Sequence, residues 1–288
     1  MQPLIDTALW LARKRRALVQ AVPGADFLMR RTAEDLADRL GAVERRVEKA
    51  AVLFCQTPAA ADVVAASGKV AEFVRVEADA AFLVGGFGQV ATPETMPFEP
   101  ESLDLVVSLL SLQAMNDIPG MLVQIRRALR PDGLFLGAFA GAGTLAELRE
   151  CLLAAETELH GGASPRVTPF TDVRDAGALL QRAGFALPVA DVETVTVRYD
   201  DMFGLMADLR AMGETSALAD RSRRPGTRDL FARAAEIYAE RFVVADGRVR
   251  ASFSIVWLSG WAPAASQPLK PGSAKVSLKT ILENPGNH

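Results

Sequence analysis

Leu103 to Phe139, LDLVVSLLSLQAMNDIPGMLVQIRRALRPDGLFLGAF, decides the fold. Its apolar block from Leu105 to Leu110 lacks alternation, which suits a parallel strand covered on both faces. Ile118, Leu122, Ile125 and Leu129 then recur at helical spacing, while Arg126, Arg127 and Arg130 fall mostly off that stripe. Pro131-Asp132-Gly133 stops the helix and turns the chain into a second buried strand, Leu134 to Phe139. Strand, loop, amphipathic helix, turn and strand in one unit read as a βαβ crossover.

Working outward, Leu4 to Val19 and Phe27 to Val47 are helical by pattern, the second with a capping-box-like start from Thr32 to Asp35. Ala50 to Cys55 is a short apolar strand, and Thr57-Pro58 caps and opens a helix continuing to Ala66. Glu72 to Val76 is a second strand that ends at Glu77, and Phe87 to Ala91 a weaker third after Gly85-Gly86. Downstream, helices are predicted over Thr144 to Leu159, Asp172 to Ala183, Met202 to Met212 and Thr227 to Arg241. Phe185 to Tyr199, interrupted at Pro188, and Val249 to Trp261 alternate as strands. The organisation expected is an N-terminal helical segment (1–48) and an α/β domain (49–262) with a helical insertion at about 200–248. A surface or mobile tail (263–288), rich in Pro, Gly, Ser and Lys, follows.

Composition narrows the function. Half of the 288 residues are apolar, enough for a full core. Lys plus Arg total 32 against 35 Asp plus Glu, a net charge of −3 that offers no general attraction to nucleic acid. No apolar run approaches the roughly 20 residues of a membrane helix, and MQPLIDTALWLARKRR places its basic residues after its apolar ones, the reverse of a secretory signal. A cytoplasmic protein is expected. Cys55 and Cys151 lack metal-ligand spacing, and with only His160 and His288 present a histidine metal cluster or histidine-based triad is disfavoured.

The fDlV-like strand at Leu103 to Val107 and the turn Leu129-Arg130-Pro131-Asp132-Gly133 resemble the second half of a class I S-adenosylmethionine methyltransferase domain. AETELHGGASPRVTPF (155–170), MFGLMADLRAMGE (202–214) and GSAKVS (272–277) make the chain similar to one branch, the complex I assembly factor 5 family, in a bacterial version. The resemblance implies a Rossmann-like sheet, mostly parallel with a reversed last strand, carrying N-terminal helices and a helical insertion. The cofactor is then expected at the carboxyl ends of the strands, at the switch in strand order.

Laid on the family motif, the leading acid of the first loop falls on Leu53 and its glycines on Cys55, Thr57 and Ala59, so that motif is degenerate. By resemblance the cofactor contacts are Cys55, Gln56, Thr57, Glu77, Thr92, Ser108 and Leu109, with Glu94 close to Thr92. Glu77 stands where a carboxylate accepts both ribose hydroxyls, or is a solvated strand-end acid. Gln113, Asn116 and Asp117 fall on the substrate side, although Asn116-Asp117 before Ile118 also reads as an ordinary helix cap. No catalytic residue declares itself, and no metal is expected.

The basic runs Arg13 to Arg16 and Arg221 to Arg224 read first as solvated faces, with an acidic partner or the negative surface of a membrane as the functional alternative. Met202, Met206 and Met212 form an apolar helical face, for core packing or for a client segment. Two functions stand beside each other. One is an S-adenosylmethionine-dependent enzyme, methyltransferase or hydroxylase, modifying a protein side chain of a complex I client. The other is a catalytically silent fold of the same kind that escorts an NADH dehydrogenase subunit. A nicotinamide dehydrogenase lacks its G-x-G-x-x-G here.

Overall fold

The computed structural model describes residues 2–83, 88–223, 225–265 and 267. Gly85-Gly86, Arg224, GSAKVS and nearly all of the tail lie outside these. Seven strands form one sheet in the order β3-β2-β1-β4-β5-β7-β6: β1 Val47–Leu53, β2 Val70–Glu77, β3 Gly88–Val90, β4 Leu103–Leu109, β5 Leu129–Ala140, β6 Ala186–Tyr199 and β7 Val249–Trp261. β3, β2, β1, β4 and β5 pair in parallel, and β7 runs antiparallel to both of its neighbours. The mostly parallel sheet with a reversed last strand is therefore present. Its strand order turns back between β1 and β4, the switch point at which α/β sheets open a crevice.

Alternating side chains of the central strands feed two cores. On one face α4 (Ile118–Ala128) and α6 (Val173–Arg182) bury Leu122, Ile125 and Leu180 against Leu103, Val106 and Phe135. On the other, α2 (Phe27–Gly41) and α3 (Ala59–Ala66) bury Leu36, Leu40 and Val64 against Val52, Leu105 and Val107. Fully burying each such side chain contributes about 1.5–3 kcal/mol. A third cluster joins α5 (Ala146–His160), α7 (Met202–Ala211) and α8 (Arg228–Phe242) to Ala251 and Phe253 of β7. α7 and α8 thus pack with α5 over the start of β7, and α1 (Thr7–Gln20) rests nearby, with Ile5, Trp10, Ala217 and Leu218 in one cluster.

Several local expectations change. The predicted helix over 27–47 stops at Gly41, and Val47 already opens β1, because Val47 N–H bonds the Lys69 carbonyl beside β2. Thr32 is interior to α2 and donates to the Leu28 carbonyl at 2.7 Å, a back-bond that removes it from capping. Thr57 makes no side-chain cap; Pro58 occupies the cap position. Pro131 to Gly133 sits inside β5, where Asp132 takes a left-handed φ of 62° and β4 shifts register against it between Leu103 and Leu105.

Candidate functional site

A cavity of about 820 Å³ opens at the carboxyl ends of β1, β4 and β5, within the size range of small-molecule sites. Cys55, Gln56 and Thr57 line it after β1, Leu110 and Gln113 after β4, and Ala140 at the end of β5. Trp10 and Arg13 of α1, Leu148 of α5, Met206 and Leu209 of α7 and Phe231 of α8 supply the other walls.

Strand-tip backbone around the cavity is strained. Phe54 (φ 54°), Gln56 (φ 63°), Leu110 (φ 51°) and Leu145 (φ 54°) all adopt the left-handed region without being glycine. Each such residue costs about 1–2 kcal/mol, and strain of this kind gathers at ligand sites when the surroundings over-determine it. The first loop keeps tight left-handed turns although the expected glycines are replaced.

Glu77 is what holds that loop. It is fully buried, and both of its carboxylate oxygens accept the Gln56 backbone N–H at 3.0 Å. Arg75 donates to it at 3.1 Å and to the Phe82 carbonyl at 2.9 Å. Burial pushes the Glu77 carboxyl up to about 7, with the Gln56 N–H and Arg75 opposing. Glu77 does not line the cavity. Burial also raises the Cys55 thiol to about 12, so it stays neutral, and its Sγ accepts the Leu109 N–H at 3.3 Å, tying the tips of β1 and β4 together.

The other sequence candidates scatter. Thr92 is exposed and off the cavity wall. Ser108 is buried and exchanges a hydrogen bond with Ser111 at 2.8 Å, and Leu109 is wholly within the core. Asp117 caps α4 through the Gly120 N–H at 2.8 Å. Asn116 instead clips the N-terminal segment: Ile5 N–H donates to its Oδ1 at 2.8 Å and its Nδ2 donates to the Ile5 carbonyl at 3.1 Å. Glu94 accepts the Asn116 N–H, so this loop is fixed from two sides. Asp104 accepts Lys49 N–H at 2.9 Å and pairs with Arg130, closing the strand edge. Exposed His160 ends α5 and does not line the cavity.

In the two basic runs Arg15, Arg16 and Arg223 are exposed, while others turn inward to partners. Arg13 donates to the Thr215 carbonyl at 2.7 Å and to that of Ser216, buried Lys14 pairs with Glu214, Arg15 with Asp79, and Arg221 with Asp6. Arg13, Lys14 and Arg221 meet at the cavity, two hundred residues apart in sequence, which no local pattern announces.

Among the described residues, nine buried side-chain polar atoms lack a hydrogen-bond partner, and five of them belong to residues lining this one cavity: Trp10 Nε1, Gln56 Nε2, Thr57 Oγ1, Gln113 Oε1 and Ser216 Oγ. Unmatched buried polar groups each cost about 1–3 kcal/mol, and these five atoms lie beneath the cavity surface, not on it. Trp10 and Ser216 are absent from the sequence-based candidates. Among the described residues no three His, Cys, Asp or Glu side chains could hold a metal ion, and no helix is long and apolar enough to cross a membrane.

Residues 53–137 match the model of the methyltransferase domain. The chain is 43% identical over 194 residues to the mitochondrial arginine-hydroxylase NDUFAF5 of Danio rerio, covering 67% of this chain and 60% of that protein. The human protein of that name is 45% identical over 191 residues, 66% and 55% of the two lengths. A malonyl-[acyl-carrier protein] O-methyltransferase of Laribacter hongkongensis is 38% identical over 172 residues, 60% of this chain and 55% of that protein. This chain therefore spans less than two thirds of these relatives. Among solved structures, a candidate methyltransferase of Bacillus halodurans superposes with a TM-score of 0.55 at 15% identity, covering 80% of this chain and 98% of that one. The YcgJ protein of Bacillus subtilis gives 0.51 at 15% identity, with 85% and 100% covered.

Proposed function

From the premise that the chain is a class I methyltransferase-fold protein resembling the NDUFAF5 arginine-hydroxylases, we propose that it modifies a protein side chain of a respiratory complex I client, using S-adenosylmethionine. The observation that carries this reading is the cavity at the strand tips, at the switch in strand order.

Polar residues on the cavity wall would hold the cofactor in place of the glycine-rich motif. Gln56 and Thr57 after β1 and Gln113 after β4 line the cavity and would hold the cofactor through their amide and hydroxyl groups once these turn toward it. Gln113 is oriented by donating its Nε2 to the Leu110 carbonyl at 2.8 Å. Glu77 acts one step back, holding the Gln56 backbone in its left-handed turn.

The bound cofactor supplies an electrophilic methyl group on a sulfonium centre. Such transfer rests on alignment and exclusion of water more than on a strong base. Here the alignment would come from Gln56, Thr57 and Gln113, and Leu148, Met206, Leu209 and Phe231 would keep the space apolar. The buried Cys55 thiol is too basic to serve as a nucleophile at neutral pH.

Calorimetric titration of the full chain with S-adenosylmethionine, S-adenosylhomocysteine and NADH tests the reading. Saturable binding of the first two, weakened by Gln56→Ala and Gln113→Ala, is expected. Absence of heat from both, together with capture of an NADH dehydrogenase subunit, would replace the enzyme by an escort. Binding of NADH alone would reassign the crevice.

A further inference from the structure

One side of the cavity is apolar and stands apart from the strand tips after β1 and β4. Leu28 of α2, Val167 after α5, Met206 of α7, Met212 just beyond it and Phe231 of α8 all line the cavity. All five pack on the cluster that joins α5, α7 and α8 to β7, so they form one continuous wall. Each is only partly buried and keeps accessible surface. The sequence pattern groups Met202 with Met206 and Met212, but the fold separates them: Met202 is 1% exposed and fills the core, whereas the other two line the cavity.

These five side chains carry no N–H, O–H or carbonyl group, and a thioether accepts hydrogen bonds only weakly. Arg166, the charged neighbour of Val167 on the same cavity, is held by Glu156 through bonds of 2.6 and 3.2 Å. A peptide backbone laid on this wall would leave its own N–H and C=O groups unmatched, whereas a hydrocarbon chain gives up only its contact with water. The two methionines suit such a chain, because their unbranched and polarizable side chains repack around different shapes. The cavity's 820 Å³ lies toward the upper end of the roughly 300–1,000 Å³ spanned by small-molecule sites.

We propose that Leu28, Val167, Met206, Met212 and Phe231 form a subsite for the linear hydrocarbon chain of a small amphiphile, beside the strand-tip crevice. This assignment does not rest on the function proposed above.

Calorimetric titration of the full chain with 1-hexanol, 1-heptanol and 1-octanol tests it. Saturable binding is expected, tightening about fourfold for each added CH₂, the worth of one buried methylene. Met206→Trp and Val167→Trp, at two partly exposed positions, fill the space and are checked by circular dichroism and thermal melting. Either variant, once shown to be folded, should bind 1-octanol at least tenfold more weakly than wild type. The chain-length series needs only wild type, so it decides the matter if neither variant folds. Non-saturable uptake, a gain below twofold per CH₂, or undiminished binding by both folded variants would overturn the subsite. S-adenosylhomocysteine, titrated alongside, keeps the two readings apart: its binding without an alkanol response removes the subsite alone, and an alkanol response without its binding removes the proposed cofactor alone.

Discussion

Both carboxylate oxygens of Glu77 lie 3.0 Å from the backbone nitrogen of Gln56. The contact joins the tip of β2 to the first loop and holds Gln56 at a φ of 63°, a conformation for which a side chain is ordinarily a poor choice. The carboxylate is thus committed to loop shape.

This brace should be pH-dependent. Burial raises the folded-state pKa of Glu77 from 4.5 to about 7, so between those values the folded chain holds a proton that the unfolded chain has released. The site's contribution is fully present below the unfolded pKa and is lost as pH rises through the folded one, by at most about 3 kcal/mol at 1.36 kcal/mol per unit. Urea unfolding at about pH 5 and about pH 7.5 should show wild type losing on the order of 2 kcal/mol relative to Glu77→Gln across that interval. Parallel stability curves for the two proteins would remove the argument.

Replacing Gln56 by glycine should relieve the loop. Glycine reaches a positive φ without a Cβ penalty, and the substitution also deletes the unmatched Nε2. Against the extra unfolded-state entropy, a net gain of about 1 kcal/mol is expected, readable as a rise of a few degrees in Tm. Phe54→Gly, at the comparable φ of 54°, should do the opposite, because Phe54 is 1% exposed within the core and its loss opens a cavity worth about 3–5 kcal/mol. A drop in Tm for Gln56→Gly would mean that the left-handed turn is not strained.

How much of this could be read beforehand follows from the length scale of each cause. The β4-α4-β5 unit was legible because burial on both faces of β4 and a single apolar stripe on α4 leave periodic marks; Leu122 and Ile125 are fully buried as their spacing requires. Asp172 was legible as a helix start and accepts the N–H groups of Arg174 and Asp175 at 2.8 Å. The left-handed turns at Phe54 and Gln56 were not, because nothing in a phenylalanine or glutamine signals positive φ. The α1 wall was not legible either, since Trp10 meets Ala217 only after the sheet has brought α1 beside the insertion. Asn116-Asp117 divides between these cases: Asp117 caps α4 through a local contact, whereas Asn116 is fixed by Ile5, 111 residues away.

Asn116→Ala should therefore loosen the N-terminal segment without melting the sheet. It removes two hydrogen bonds to the Ile5 backbone, while Asp6 N–H to Ala217 and Ala219 N–H to Leu4 remain. A loss of about 1–3 kcal/mol is expected, with hydrogen exchange accelerated in residues 4–10 and unchanged in β4. Equal acceleration in both would show that the clip is not local.

Lys14 and Glu214 give the last test. Lys14 is 7% exposed, its Nζ pairs with Glu214 and donates to the Met212 carbonyl at 3.1 Å, and Gly213 at φ 73° allows α1 and the chain after α7 this close approach. Removing one partner of such a pair leaves the other charge poorly compensated, whereas removing both with apolar residues of similar volume restores much of the loss. Because Glu214 retains a third of its side-chain exposure, Lys14→Met should cost only about 1–3 kcal/mol. The double variant Lys14→Met/Glu214→Leu should be less destabilised than the sum of its single changes, by about 1 kcal/mol in a double-mutant cycle. Strict additivity would mean that the two ends of α1 and α7 are held by packing around Gly213 and not by this ion pair.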